Sequence, residues 1–282
     1  MKTTSYLTAA EFLQKAQAHL EKNEAANNLM IGLCLRLQKH PERIERQPYF
    51  ATVEDAKGLA AAAVMTPPFS MIVHSARKKP QTALEAIAKD LLEHHWPVPG
   101  VNGQVPLPEQ FSQVWTQLTG ARHEQILALR AFELRKVAHP KGAPGSLRVA
   151  KPADTDLIAS WMQAFHDEAT PHDPPFDAHK AAKTRICDGD IFLWDDGKPV
   201  TMAAKARPTR NGITVNLVYT PPQLRRKGYA TACVAALSQK LLDEGWQFCA
   251  LFTDLANPTS NSIYQQIGYK PVRDYALFRF TE

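Results

Sequence analysis

Residues 225–231 read Arg225-Arg226-Lys227-Gly228-Tyr229-Ala230-Thr231, a basic loop with one glycine. Before this loop, the β-branched and aromatic residues from Val215 to Tyr219 predict a strand. The prolines that follow Thr220 end the strand, because proline cannot donate to the next rung of a sheet. After the loop, apolar residues spaced by three and four between Cys233 and Leu242 predict a helix. The loop therefore connects a strand directly to a helix.

A loop in this position is suited to binding an anion. The first turn of a helix presents unpaired N–H groups and the positive end of the helix dipole. Gly228 allows the backbone to come close to a phosphate, and the small Ala230 keeps that approach open. Arg225, Arg226 and Lys227 add positive charge. On this hexapeptide alone, a basic loop before an ordinary core helix remains the alternative.

A second segment follows the predicted strand Phe248–Phe252 and makes the pattern specific. Residues 253–269 read Thr-Asp-Leu-Ala-Asn-Pro-Thr-Ser-Asn-Ser-Ile-Tyr-Gln-Gln-Ile-Gly-Tyr. The segment contains an asparagine, a tyrosine seven residues later, and a Gly-Tyr pair four residues further on: Asn257, Tyr264, Gly268 and Tyr269. With the basic loop upstream, this arrangement resembles the acyl-CoA motifs of the GNAT acetyltransferase superfamily. The resemblance covers roughly residues 147–282.

The resemblance implies acetyl-CoA as the co-substrate. The strand backbone at Val218, Tyr219 and Thr220 is expected to bond the pantetheine arm, and the amides from Arg226 to Thr231 the pyrophosphate. Asn257 is expected to contact the arm, although a helix N-cap before a proline is almost as good an interpretation of this asparagine. The implied cofactor-binding residues are Val218, Tyr219, Thr220, Arg225, Arg226, Lys227, Gly228, Tyr229, Ala230, Thr231 and Asn257.

The resemblance also implies direct transfer of the acetyl group to a primary amine. Tyr264 matches the tyrosine that protonates the departing thiolate; the alternative is a core aromatic residue beside Ile263 and Ile267. Cys233 and Cys249 fall in a helix and a strand that are predicted to be core, so no nucleophilic cysteine is expected.

The sequence offers several candidates for the general base. A helix is predicted over Asp154–Phe165, and substrates usually enter after it in this superfamily. Four titratable residues crowd that region: His166, Glu168, His172 and Asp173. A solvated polar loop is the alternative for each of them. Glu168 is the hypothesis for the base.

The chain repeats itself at an offset of 141 residues. Residues 54–59 match residues 195–200, and both lie in a strand, acidic turn, strand pattern. The Pro- and Gly-rich stretch 138–145 predicts a linker. We therefore predict an α/β (mixed α+β) fold of two tandem GNAT-like units, each a mixed, mostly antiparallel sheet flanked by helices. The predicted domains are a degenerate GNAT-like domain at 1–140 and an acetyl-CoA-binding N-acetyltransferase domain at 146–282.

The first copy lacks the cofactor loop when it is aligned at that offset. Residues 84–89 then stand where Arg225–Ala230 stands, and they predict an uninterrupted helix without glycine. Thr116 takes the place of Tyr264 when the closing glycines Gly120 and Gly268 are aligned. We therefore expect one acetyl-CoA per chain, and either a structural or a substrate-binding role for the first copy.

Composition limits the remaining classes. The chain of 282 residues is 44% hydrophobic with a net charge of +5, which is typical of a globular protein with ample core. The four cysteines are expected to be core thiols, and their spacing predicts no metal site. No membrane span, signal peptide or nucleic-acid motif is found, so we expect a cytoplasmic protein whose partner is a small-molecule or peptide amine. A non-catalytic acyl-CoA-binding regulatory or interaction module is the alternative function.

Overall fold

The computed structural model describes residues 1–138 and 143–282, so part of the predicted linker, residues 139–142, lies outside the described residues. Both halves show the same order of elements, strand, two helices, three strands, helix, strand, helix, strand. In the first half these are β1 Lys2–Tyr6, α1 Ala9–Leu20, α2 Glu24–Lys39, β2 Tyr49–Asp55, β3 Gly58–Met65, β4 Met71–His74, α3 Gln81–Glu93, β5 Gly100–Gln104, α4 Leu107–Thr119 and β6 Arg122–Leu134. In the second half they are β7 Ser146–Val149, α5 Thr155–Ala169, α6 Ala178–Cys187, β8 Ile191–Asp195, β9 Pro199–Ala206, β10 Gly212–Tyr219, α7 Tyr229–Asp243, β11 Phe248–Asp254, α8 Pro258–Ile267 and β12 Lys270–Thr281. The predicted duplication and the α/β class are confirmed.

The chain forms two compact units whose residues are not contiguous in sequence. Unit 1 contains residues 1–131, 254–256 and 272–282, and unit 2 contains residues 132–253 and 257–271. The predicted domains at 1–140 and 146–282 are contiguous, whereas most of β12 lies in unit 1 and the last residues of β6 lie in unit 2. Each half thus contributes the end of its last strand to the other unit.

Unit 1 is built on the strand order β1-β2-β3-β4-β5-β12-β6. Neighbours are antiparallel from β1 to β4, β4 and β5 are parallel, and β5 pairs antiparallel with β12 from Gly100–Arg279 to Gln104–Tyr275. Two apolar clusters cover the faces of this sheet. One includes Leu84 of α3, Phe111 of α4 and Phe278 of β12; the other includes Phe12 of α1.

Unit 2 is built on the order β6-β11-β10-β9-β8-β7, in which β10 and β11 are the parallel pair. Its clusters are formed by α7 and α8 with one face, around Leu237 and Ile267, and by α5 and α6 with the other, around Ile158 and Ile186. The helices of each unit therefore flank a mixed, mostly antiparallel sheet, as predicted.

Local signals explain several of the element ends. Thr8 and Glu11 form a capping box, which starts α1 at Ala9. Gly120 and Gly268 close α4 and α8 at φ of 78° and 108°, the left-handed conformation that only glycine adopts without strain. The helix predicted over Asp154–Phe165 continues to Ala169. Within the described residues, the helices are all too short or too polar to cross a membrane.

Candidate active site

The centre of the site is the separation of the parallel strands β10 and β11 in unit 2. They pair at Gly212–Phe248, Ile213–Cys249 and Thr214–Ala250, and among the described residues no later position of the two strands is in register. On its other side, β10 shifts register against β9 between Asn216 and Tyr219, and Leu217 has a φ of 53°. This bulge turns the strand backbone out of the regular ladder. The end of β10 therefore offers backbone groups to a ligand that enters between the strands.

The three strand residues predicted to bond the pantetheine arm differ in whether their backbone groups already have hydrogen-bond partners. Thr201 donates its hydroxyl to the carbonyl oxygen of Tyr219 at 2.7 Å, and Arg225 Nε donates to the carbonyl oxygen of Thr220 at 2.8 Å. These two carbonyls already have a donor. Val218 lies inside the bulge, between the paired residues Asn216 and Tyr219, and has no partner in the described register with β9.

The loop before α7 forms a cradle of backbone amides. Arg226 and Gly228 both have positive φ, 63° and 81°. Gly228 is the N-cap of α7, it carries no side chain to bond the helix amides, and the first helical bond runs from the amide of Ala232 to its carbonyl. Within the described part of the chain the amides from Arg226 to Thr231 find no acceptor. These amides fit the pyrophosphate that the loop was predicted to hold.

The open space and the positive charge around the cradle also fit a pyrophosphate. A Cβ built on Gly228 would lie 3.7 Å from the nearest atom, Cβ of Ala143, so the loop is open above the glycine. Arg225, Arg226 and Lys227 are exposed. One contact was missed by the sequence analysis: the hydroxyl of Tyr229 donates to Asp196 Oδ2 at 2.6 Å and ties the start of α7 to the β8–β9 turn.

Asn257 acts as the N-cap of α8. Its Oδ1 accepts from the amide of Ser260 at 3.0 Å, so the interpretation as a helix cap is correct. The cap fixes the side chain through its oxygen, and the amide group takes no part in this bond. Contact of that amide group with a cofactor arm stays a prediction.

Tyr264 lies on α8 with 8% of its surface exposed, and its ring packs edge-on against Tyr269 at 6.0 Å. Burial raises the pKa of Tyr264 to about 12. The hydroxyl therefore stays protonated across the neutral range, and burial alone, with no hydrogen bond from a described residue, causes the shift. Tyr269, by contrast, shares a 2.8 Å hydrogen bond with Ser238 and serves the core. Tyr264 is thus both packed and available as a proton donor.

Glu168 lies on the last turn of α5, not in a loop, and faces the end of β10. Arg225 Nη2 donates to Glu168 Oε2 at 2.6 Å, and the hydroxyl of Tyr219 donates to Glu168 Oε1 at 3.4 Å. Burial and the neighbouring Glu168 carboxylate raise the pKa of Tyr219. The structure therefore brings the predicted base next to the first residue of the basic loop and the last residue of the strand.

The other candidate bases form a separate group. His166 packs edge-on against Phe176 at 5.3 Å, and His172 lies 3.8 Å from Asp173. Burial raises the pKa of Asp173. No described contact joins these residues to Arg225 or to the strand end, so Glu168 remains the candidate that the geometry favours.

The cysteines serve packing rather than chemistry, with one correction. Cys233 and Cys249 are buried, and burial raises the pKa of each thiol to about 12, so neither is a thiolate near neutral pH. Cys34 is also buried, but Cys187 is exposed at the end of α6, and its prediction as a core thiol was wrong. Among the described residues no group of three metal-ligating side chains occurs.

Unit 1 has a different structure at the corresponding position. The counterpart of the basic loop is residues 75–80, between β4 and α3, and not residues 84–89, which lie within α3 as a helix. Arg77 of this shorter loop donates to Asp55 Oδ1 at 2.7 Å and to the carbonyl oxygen of Gly58 at 3.2 Å. Pro80, which has no N–H, stands at the N-cap. Strand β4 extends one residue past its last pair with β5, so little strand edge is free.

The comparisons with known proteins agree with this architecture. Residues 196–277 match the family model of the FR47-like proteins, which covers the β8–β9 turn, the cradle and α8. A Drosophila protein superposes with a TM-score of 0.69 at 11% identity, covering 97% of this chain and 95% of that one. No curated protein matches significantly in sequence.

Two further solved structures carry the family's name. A GCN5-related N-acetyltransferase from Sphaerobacter thermophilus superposes with a TM-score of 0.62 at 15% identity, over 98% of this chain and 95% of that one. A tandem GNAT protein from the clavulanic acid biosynthesis pathway superposes with a TM-score of 0.56 at 13% identity, over 100% and 98%. The chain has a tandem GNAT fold. The resemblance inferred from the two motifs is confirmed, and the second GNAT-like unit is the one that contains the amide cradle.

Proposed function

We propose that unit 2 is an N-acetyltransferase that moves the acetyl group of acetyl-CoA directly to a primary amine. The observation that carries the proposal is the row of unbonded amides from Arg226 to Thr231, which lies beside the free end of a separated strand and beside Glu168. An open glycine and three exposed cations fit a pyrophosphate at that row. The amine belongs to a small molecule or a peptide.

Acetyl-CoA, when bound, supplies an acyl group activated as a thioester. The amides from Arg226 to Thr231 hold the anionic end, and the bulged backbone at Val218 orients the arm and donates to the carbonyl oxygen as negative charge develops there. Glu168 takes a proton from the acceptor ammonium, since an amine attacks only when its lone pair is free. No covalent acyl-enzyme is needed, because the amine attacks the thioester directly. The buried thiols of Cys233 and Cys249 are protonated and supply no competing nucleophile.

Tyr264 supplies the other proton. Its hydroxyl is held in a packed ring and stays protonated at neutral pH, so it can donate to the sulfur as the carbon–sulfur bond breaks. The free cysteines Cys34, Cys187, Cys233 and Cys249 suit a reducing compartment, and the cytoplasm is where we propose that the enzyme works.

The test is release of free thiol from acetyl-CoA in the presence of a library of primary amines. The proposal predicts amine-dependent release together with an acetylated product of matching mass. Acetyl-CoA binding by calorimetry without turnover of any amine would instead support the regulatory or interaction module. Absence of both binding and turnover would contradict the two functions alike.

A further inference from the structure

The guanidinium of Arg225 is surrounded by groups that would suit any cation. Nη2 donates to Glu168 Oε2 at 2.6 Å, and the guanidinium carbon lies 5.7 Å from the centre of the Tyr219 ring. Tyr219 in turn donates to the second carboxylate oxygen at 3.4 Å and packs against Trp161 at 6.3 Å between ring centres. A carboxylate and an aromatic ring that both contact a positive charge form a cation subsite.

The same arginine belongs to the loop that precedes the cradle. Arg225 is three residues before Gly228, and its Nε bonds the carbonyl of Thr220 at the strand end. The side chains of Arg225 and Glu168 are 43% and 46% exposed. An ion pair so accessible to water is weak and easily exchanged. A pyrophosphate at the cradle would offer Arg225 a doubly anionic alternative.

We infer that Glu168 and Tyr219 form the subsite for the acceptor's ammonium group, and that Arg225 occupies it until the cofactor's phosphates attract the guanidinium away. This inference rests on the proposed function. It defines the acceptor as an amine that arrives as a cation and makes Arg225 a positioning residue that couples the two substrates. The first substrate bound is then acetyl-CoA.

Protons balance in the step that follows. The acceptor R–NH₃⁺ replaces the guanidinium, Glu168 takes one proton to give R–NH₂ and a neutral carboxyl, and the amine lone pair forms the bond to the acyl carbon. The carbon–sulfur electron pair leaves with the sulfur, which takes a proton from Tyr264. The positively charged amide nitrogen loses its second proton to the solvent, and Glu168 and Tyr264 regain their starting states by exchange with water.

A double-mutant cycle on coenzyme A binding tests the coupling without any turnover. Calorimetry is run on the full chain and on Glu168→Gln, Arg225→Gln and the double variant. We expect Glu168→Gln to tighten coenzyme A by about two- to fivefold, because Arg225 no longer has to leave a carboxylate. That gain should vanish when Arg225 is already glutamine.

Arg226→Gln is the matched control. Arg226 is an exposed cation on the same loop, and no described side chain pairs with it. Glu168→Gln should therefore keep its full gain in the Arg226→Gln background. An equal gain in all three backgrounds would show that Glu168 acts only through long-range charge, and this would overturn the coupling.

A second arm tests the cation subsite itself. Butylguanidinium should compete with the amine acceptor in the full chain, whereas butanol should not. Because Glu168→Gln removes the proposed base, that variant is compared by calorimetry with coenzyme A bound, and it should bind butylguanidinium about tenfold more weakly than the full chain does. Failure of butylguanidinium to compete, with turnover intact, would refute the subsite. A chain that binds no coenzyme A and turns over no amine would instead refute the proposed function.

Discussion

At the scale of single residues, Tyr264 is buried in the core and is also the residue that we propose as the proton donor. Its position beside Ile263 and Ile267 on α8 made a core aromatic residue a reasonable interpretation, and the ring is indeed buried. Its hydroxyl nevertheless makes no described hydrogen bond, whereas that of its neighbour Tyr269 shares one with Ser238. Packing fixes the ring, and the unused hydroxyl is what remains for chemistry.

Replacing Tyr264 with phenylalanine removes only this hydroxyl. We expect kcat to fall by about ten- to a thousandfold while acetyl-CoA affinity holds, because the proton is needed only as the thiolate leaves. Because the pKa of Tyr264 is about 12, the hydroxyl stays protonated, and the loss should be the same at pH 7 and pH 9. Steady-state kinetics with calorimetry provides the check; an unchanged kcat with a shifted KM would make Tyr264 a packing residue.

Gly228 tests the cradle at the same scale. Gly228→Asp should abolish acetyl-CoA binding without unfolding the chain, since it places a carboxylate where a pyrophosphate is expected. Gly228→Ala is the matched control: it has the same strain at a φ of 81°, and its Cβ has room at 3.7 Å. Calorimetry should show binding by the alanine variant only. Circular dichroism should show that both variants are folded. Equal affinity of the aspartate variant would remove the cradle from the site.

At the scale of elements, short sequence patterns predict helices and helix ends correctly where neighbouring residues alone determine them. The capping box of α1, the glycines that close α4 and α8, and the helix across residues 84–89 all follow from short-range chemistry. The counterpart of the cradle was misplaced, because a constant offset assumes loops of equal length. The loop at 75–80 is shorter than the segment 220–228. The constant offset therefore paired the basic loop with residues 84–89, which lie within α3.

Arg148 joins the first strand of unit 2 to the start of its first helix. It donates to both oxygens of Asp154 at 2.7 and 2.9 Å and to Asp195 at 2.9 Å. This arginine holds the pKa of Asp154 below its usual range. A carboxyl with a lowered folded-state pKa stabilises the fold above its unfolded-state pKa, and that contribution is lost as the pH falls through the folded value.

Asp154→Asn should therefore destabilise the chain by about 1–3 kcal/mol at pH 7. In urea denaturation the difference from the unaltered chain should narrow below about pH 4, the ordinary pKa of an aspartate. Asp156→Asn, on an almost fully exposed side chain next to it, serves as the control and should change little. A difference that is constant down to pH 2 would contradict the charged pair.

At the scale of the whole molecule, the exchange of final strands is what the sequence could not predict. The local pattern of residues can predict a strand, but it does not say which sheet the strand joins. β12 pairs with β5 of unit 1, and Ala276 and Phe278 lie in the cluster that also contains Phe111. Most of β12, the last strand of the second half, therefore belongs to unit 1.

Phe278→Ala should accordingly weaken unit 1, although Phe278 lies at the end of the second half. Its side chain is 7% exposed in the unit 1 core, and we expect a loss of about 3–5 kcal/mol. Pulse proteolysis with mapping by mass spectrometry should show new cleavage in α3 and α4. Arg279→Ala, on the exposed neighbour, should not. New cleavage confined to α7 would contradict the exchange.

The central claim is that one acyl-CoA site exists per chain and that it lies in unit 2. Hydrogen–deuterium exchange with and without acetyl-CoA tests it most directly, because the amides from Arg226 to Thr231 have no described acceptor and should exchange fast until the pyrophosphate binds. We predict that acetyl-CoA slows exchange at residues 226–231 and at the end of β10. Exchange at residues 75–84 should not change. Unchanged exchange at 226–231, or equal protection at 75–84, would contradict the account.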